Sequence, residues 1–132
     1  MAETEARKMV SFAGLSPWAD HPARVLTAAG RKRLELARAL ATRPRLLLLD
    51  EVMAGLTPTE SVEIVQLIRE IRDSGVTILV IEHVMKAIMS LSDRVAVLHH
   101  GELIAVDPPS IITSDERVIE AYLGEEVQIA GA

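Results

Sequence analysis

Leu46 to Leu49 form a run of four leucines that ends in two adjacent carboxylates, Asp50 and Glu51. The run is too short for a helix, is entered from Pro44 and is left through charge. It therefore reads as a strand buried on both faces. Thr57–Pro58–Thr59–Glu60 then opens a helix: Thr57 caps it, Pro58 suits the first helical position and Glu60 completes a capping box. Val62, Val65, Ile68 and Ile71, with Ile64 and Leu67 beside them, are its expected buried face, and Ser74–Gly75 closes it. Residues 76–81 follow as a second buried strand rich in β-branched side chains. Strand, helix and strand of these lengths make a right-handed crossover in a parallel sheet, so the fold class is α/β.

The flanking segments are consistent with that frame. A short helix is expected from Ala6, with Met9, Val10, Phe12 and Ala13 on one side, ending at Gly14. Residues 16–22 are rich in turn formers; His21 reads as a solvent-facing loop residue and Trp18 as a satellite packing residue. Thr27–Ala28–Ala29–Gly30 introduces a helix from about Arg31 to Ala41, with Leu34, Ala37, Leu40 and Ala41 as a packing stripe. Thr42–Arg43–Pro44 ends it, because the residue before proline is biased out of the helical region. After the second strand comes a short helix over 85–91. Strands over 94–98 and 102–106 then flank a His99–His100–Gly101 turn, which predicts a hairpin. Asp115 to Leu123 reads as a helix ending at Gly124, and the last eight residues as a loose tail.

Bulk properties set bounds on partners. With 132 residues the chain is one domain's worth or a piece of one, and its three aromatic residues leave packing to aliphatic side chains. A net charge of −5 argues against general nucleic-acid affinity, although Arg31, Lys32, Arg33, Arg38, Arg43 and Arg45 face only Glu35 in their stretch. That basic stretch reads as a solvated helix face. The absence of cysteine excludes disulfides and thiolate metal sites. No apolar run approaches the roughly 18 residues a membrane span needs, and the N-terminus has no signal-peptide pattern.

The polar ends of the two strands carry the chemistry. Parallel strands deliver Asp50–Glu51 and Glu82–His83 to the same sheet edge, the edge at which open α/β sheets bind ligands. Carboxylates beside a histidine suit magnesium coordination through water, general-base activation of a water, and hydrogen bonding to a phosphate. A strand with an acidic tip and a capping histidine would explain the same residues in isolation. His99 and His100 have no convincing metal-ligand spacing and fit a hairpin turn better than a zinc site.

In order and spacing, Leu26 to Leu40, the leucine strand with Asp50–Glu51, the Ala54–Gly55–Leu56 loop and the strand ending in Glu82–His83 resemble an ABC-transporter ATPase subunit. The resemblance covers about residues 7–124 and is closest to the branched-chain amino-acid type. Its pointers are Asp50–Glu51, then Ala54–Gly55–Leu56–Thr57–Pro58, Ile81–Glu82–His83 with Met85–Lys86, and Ala121–Tyr122–Leu123–Gly124. It implies the C-terminal half of a P-loop NTPase domain, a parallel sheet core with flanking helices and a C-terminal β-hairpin. On that basis residues 1–25 are a remnant of a helical subdomain, 26–124 the ATPase half and 125–132 a tail.

The resemblance also implies roles. Thr27, Ala28, Ala29 and Gly30 fall on the signature motif, whose helix start meets the ATP held by a second subunit. Asp50 falls on the Walker B aspartate that holds Mg²⁺ through water, Glu51 on the catalytic glutamate and His83 on the switch histidine. Gly55, Leu56 and Thr57 fall on the D-loop. Several positions depart from the pattern: Ala28 and Ala29 replace paired glycines, Gly30 replaces glutamine, Val52 replaces a proline and Thr57 an aspartate. No G-x-x-x-x-G-K-[S/T] phosphate loop occurs in the 132 residues. The expected function is thus a partial ATP-hydrolysing subunit of an importer for branched-chain amino acids or related amides, inactive as this chain alone. It implies a homo- or heterodimeric ATPase partner, integral membrane permease subunits and a cytoplasmic place on the inner membrane face. The alternative is a non-catalytic module that pairs with a complete ATPase subunit.

Overall fold

A computed structural model describes residues 1–123. The Gly124 helix end and the tail over 125–132 lie outside the described residues. The chain divides into two compact units, Met1–Ala87 and a second from Ile88 onward.

The first unit opens with α1 (Ala2–Phe12), which starts four residues before the expected Ala6 and ends two before Gly14. Met9 and Val10 pack with Leu26 and Leu34 around buried Ala13, Leu15 and Ala37. Phe12, expected beside them, is exposed instead. Two single 3₁₀ turns, Ser16–Trp18 and Ala23–Val25, lead to α2 (Ala28–Ala41). This helix begins three residues earlier than expected because Thr27 caps it, its side chain accepting from Gly30 N at 3.1 Å. Gly30 is therefore a buried first-turn residue rather than a helix-preceding turn. Leu36 and Ala37 are buried, whereas Ala41 of the expected stripe is exposed. Arg33 ties the helices together, donating to Ala13 O at 3.0 Å and to Glu63, in the helix that follows the first strand, at 3.1 Å.

β1 (Leu46–Asp50) has the expected bounds and pairs in parallel with β2 (Thr77–Ile81) across α3 (Pro58–Asp73). The capping box is present: Glu60 N donates to Thr57 Oγ1 at 3.2 Å, and Thr57 N to Glu60 Oε2 at 2.9 Å. Ser74 is the C-cap, and Gly75 takes the left-handed φ of +104° that lets the chain turn sharply into β2. Ile64, Leu67, Ile68 and Ile71 are buried on α3. Val62 is 69% exposed, so the buried face is rotated from the expected one. Spacings of three and four from Ile64 through Leu67 and Ile68 to Ile71 track the helix better than the all-three steps through Val62 and Val65.

The sheet departs from expectation in its burial. Leu47 and Leu49 are buried, but Leu46 and Leu48 are 54% and 65% exposed, as are Leu79 and Ile81 at 56% and 58%. Side chains of a strand alternate between faces, and no element among the described residues covers this outer one. β1 is thus buried on one face only, and the same face of β2, which carries Ile78 and Val80, is half-buried.

In the second unit, β3 (Val95–His99) and β4 (Glu102–Asp107) form the expected antiparallel hairpin. His100 and Gly101, at φ +48° and +76°, make the two-residue turn whose double positive φ matches strand twist. A register shift between Val97 and Leu98 leaves Ile104 as a bulge. Val95, Val97, Ala105, Ile112 and Val118 form the core, with Ile88 and Met89 of α4 (Met85–Leu91) packed against it. The chain continues through α5 (Pro109–Ile112) and α6 (Glu116–Val118), and a π-helical turn over Ile119–Leu123 replaces the second half of the expected single helix. The Tyr122 hydroxyl donates to Leu98 O, fixing that turn to the hairpin.

Candidate functional site

All the acidic and histidine candidates lie in the first unit, at the carboxyl ends of the parallel pair. Asp50 is the last residue of β1, opposite Ile81. It shares the outer face with Leu46 and Leu48, and among the described residues its side chain has no hydrogen-bond or ion-pair partner. Glu51 donates its amide to Ile81 O at 2.8 Å, one residue beyond the strand, and then leaves the sheet with φ +51°. The left-handed region is disfavoured for a residue with a Cβ, so the turn must be held by what surrounds it. It brings Glu51 Oε1 within 3.6 Å of His83 Nδ1, with both side chains more than half exposed.

This separation is an ion-pair contact for a protonated imidazole and too long for a good hydrogen bond. An imidazolium facing Glu51 through Nδ1 keeps Nε2–H free for a second acceptor, whereas the neutral ring has one donor in all. A carboxylate, a histidine and a neighbouring partnerless carboxylate at one exposed sheet edge are equipped to bind and orient a hydrated cation, a water and a phosphate oxygen. The donor set suits magnesium, which keeps most of its waters and commonly takes one or two carboxylates with phosphate oxygens completing the shell. Among the described residues no three metal-ligating side chains converge.

The intervening loop is tightly built. Val52 and Met53 are buried. Met53 N donates to Glu82 Oε1 at 2.9 Å, Ala54 N to Glu51 O at 3.2 Å and Leu56 N to Met53 O at 3.2 Å. Gly55, at φ +77°, is exposed with nothing within 4 Å of where a Cβ would stand. Thr57 is committed to the α3 cap. In the sequence Glu82 reads only as a polar strand end, with no hint of the loop latch. The available signal was parity, since Glu82 continues the inward-facing series of Ile78 and Val80, whereas His83 continues the outward series of Leu79 and Ile81.

Thr27–Gly30 forms a second, separate feature. Thr27 occupies the Gly30 amide, and the first intrahelical bond runs from Arg31 N to Thr27 O at 2.9 Å. The amides of Ala28 and Ala29 precede it and are the donors left to meet an anion. A Cβ on Gly30 would meet Leu26 Cβ at 3.2 Å, so the helix start packs too closely for a larger residue without adjustment. No hydrogen bond connects this segment to Asp50, Glu51 or His83 among the described residues.

Comparison with known proteins identifies the class. The ADP-bound conformation of MJ1267, an ATP-binding cassette of an ABC transporter, superposes with a TM-score of 0.82 at 31% identity, over 92% of this chain and 49% of that one. The fold is that of an ABC ATPase domain, a P-loop NTPase architecture, over the portion described above. Within that class the sequence is similar to the branched-chain amino-acid type. The family described as "Branched-chain amino acid ATP-binding cassette transporter" matches residues 102–128. The high-affinity branched-chain amino acid transport ATP-binding protein BraF of Pseudomonas aeruginosa is 44% identical over 112 residues, 84% of this chain and 44% of BraF. LivG of Escherichia coli, similarly named, is 44% identical over 113 residues, 85% of this chain and 44% of LivG. The chain thus spans less than half the length of these relatives. No helix among the described residues is long and apolar enough to cross a membrane.

Proposed function

We propose that this chain supplies the signature, Walker B, D-loop and switch-histidine portion, residues 26–124, of an ATP-hydrolysing subunit of an ABC importer. Branched-chain amino acids or related amides are its proposed cargo, following the relatives' names. The observation that carries the reading is the Glu51–His83 pair, 3.6 Å apart at the carboxyl end of a parallel strand pair with Asp50 beside it. Bound with magnesium, ATP would supply the phosphoryl group: a water attacks the γ-phosphorus, the bond to the bridging β-phosphate oxygen breaks, and ADP leaves with inorganic phosphate as the other product. Glu51 orients a water and accepts its proton, His83 donates a hydrogen bond to a terminal phosphate oxygen, and Asp50 holds the metal's hydration shell. Thr27–Gly30, with free amides at Ala28 and Ala29, meets the phosphate of ATP held by a second ATPase subunit. Gly55, Leu56 and Thr57 lie where that subunit approaches. The chain would sit on the cytoplasmic face of the membrane, with integral permease subunits completing the assembly.

The 132 residues contain no phosphate loop, so the chain assayed alone should release phosphate from Mg-ATP no faster than buffer. Appreciable magnesium-dependent release that Glu51→Gln abolishes would overturn that statement. The separately capped Thr27–Gly30 helix start favours a second reading, a non-catalytic module lending this surface to a complete subunit. Mixing with an intact branched-chain-type subunit separates the two. Stimulation that survives Glu51→Gln but is lost in Ala29→Glu supports the module, whereas loss with Glu51→Gln supports the catalytic reading.

A further inference from the structure

We infer that Glu82 is a positioning residue that sets the distance between Glu51 and His83 by latching the loop after β1 to the loop after β2. Glu82 immediately precedes His83, and its Oε1 accepts from Met53 N, two residues past Glu51, at 2.9 Å. One short tether therefore links the two segments that carry the pair. A carboxylate accepting from a backbone amide forms a charge-assisted bond, stronger than the neutral equivalent. The tether is needed because Glu51 holds φ +51°, a conformation its own side chain disfavours and its surroundings must impose. Of those surroundings, Glu51 N to Ile81 O fixes the start of the loop and buried Val52 and Met53 plug its middle. Among the described residues the Glu82 bond alone joins the loop to the residue beside the histidine.

The second carboxylate oxygen sharpens the assignment. Glu82 Oε2 is buried and has no hydrogen-bond partner among the described residues. An unsatisfied buried acceptor is a cost to stability, so a group retained for packing alone would be better as an apolar side chain. The chain keeps a carboxylate here for what Oε1 does. The side-chain length also matters, since Asp would withdraw the acceptor by one methylene, whereas Gln preserves a carbonyl oxygen at the same reach.

The inference rests on reading Glu51 and His83 as the reacting pair, but its test needs no turnover. On the full chain, amide exchange at Met53 and the imidazole signals of His83 are followed by NMR in the wild type, Glu82→Gln, Glu82→Asp and Glu82→Ala, each with and without Glu51→Gln. Loss of one charge-assisted bond should speed Met53 exchange about tenfold to a hundredfold in Glu82→Ala and Glu82→Asp, and by a smaller factor in Glu82→Gln, which keeps the acceptor but loses its charge. Glu51→Gln should move the His83 signals in the wild type and in Glu82→Gln, and leave them unmoved once the latch is cut. Met53 exchange within twofold of wild type in Glu82→Ala would overturn the inference. So would His83 signals that answer Glu51→Gln equally in that background. Collapse of amide dispersion in both Glu82→Ala and Glu82→Asp would overturn it too, in favour of general structural support. Absent ATP hydrolysis leaves the latch untouched, and an absent latch leaves the hydrolytic reading untouched.

Discussion

Replacing Ile68 with alanine, beside Val62→Ala on the same helix, tests which face of α3 holds the first unit together. Ile68 is 1% exposed between Ile64 and Ile71, both at 0%, whereas Val62 is 69% exposed. Ile68→Ala removes three buried carbons, about 2.4 kcal/mol at roughly 0.8 kcal/mol each. The unfilled space adds about 24 cal/mol per Å³, bringing the total to about 3–4 kcal/mol. Domain stabilities run at about 5–15 kcal/mol, so this single change removes a large share. Val62→Ala removes carbons that water already reaches and gains helix propensity, so its effect stays within about 0.5 kcal/mol. Trp18, the single tryptophan, lies in the same unit and its fluorescence reports unfolding in urea. With an m-value of about 1–3 kcal/mol/M, Ile68→Ala should lower the midpoint by about 1–4 M, and Val62→Ala by less than about 0.5 M. Equal shifts for the two variants would refute the packing face, and a larger shift for Val62→Ala would place the core where the simple three-residue spacing put it.

Other outcomes follow from single contacts. Thr57→Ala removes one half of the capping box and should cost about 1 kcal/mol by the same urea titration, with Thr57→Ser close to wild type. Gly75→Ala places a side chain at φ +104° and should destabilise by more than about 1 kcal/mol, although nothing crowds its Cβ. The hydrogen bond from Arg117, with its charge, holds the Asp115 carboxyl below the usual carboxylate range. Its folded pKa is depressed, so its stabilising contribution is present above the unfolded value and is lost as pH falls through the folded one. Titration of Asp115 by NMR should therefore show its midpoint rising in Arg117→Gln, and an unmoved midpoint would refute the pairing.

The elements read most accurately from sequence were those with local chemical punctuation. Pro44 and Asp50 bracket β1, Thr57 to Glu60 start α3, Gly75 ends it, and His100–Gly101 turns the hairpin. The errors arose where a residue had two uses. From the sequence, α2 is expected to start at about Arg31, with Gly30 just ahead of it, whereas Gly30 sits inside the first turn because Thr27 supplies the cap. Val62 and Val65 suited a spacing of three, yet the helix follows alternate threes and fours. The placing of Asp50, Glu51 and His83 at one sheet edge was legible, because parallel strands of known length bring their ends to the same side. The left-handed turn at Glu51 and the Glu82 latch were not, since both depend on where a loop's amides find acceptors across a gap of 29 residues.

The leucine run has a consequence for how β1 finds its alignment. A strand with leucine at four of its five positions offers little hydrophobic pattern to distinguish a correct pairing from one slipped by a single residue, because within the run a slip exchanges leucine for leucine. Alignment must then come from the ends. Thr77 N binds Arg45 O at 3.1 Å at one end and Glu51 N binds Ile81 O at 2.8 Å at the other. Asp50 opposes a slip because it would have to turn its charge inward. Inserting or deleting one leucine would leave the composition of the strand almost unchanged and still send Asp50 to the wrong face. The placement of the carboxylates is therefore counted out in residues from Pro44, and the chemistry at the sheet edge depends on the parity of that count.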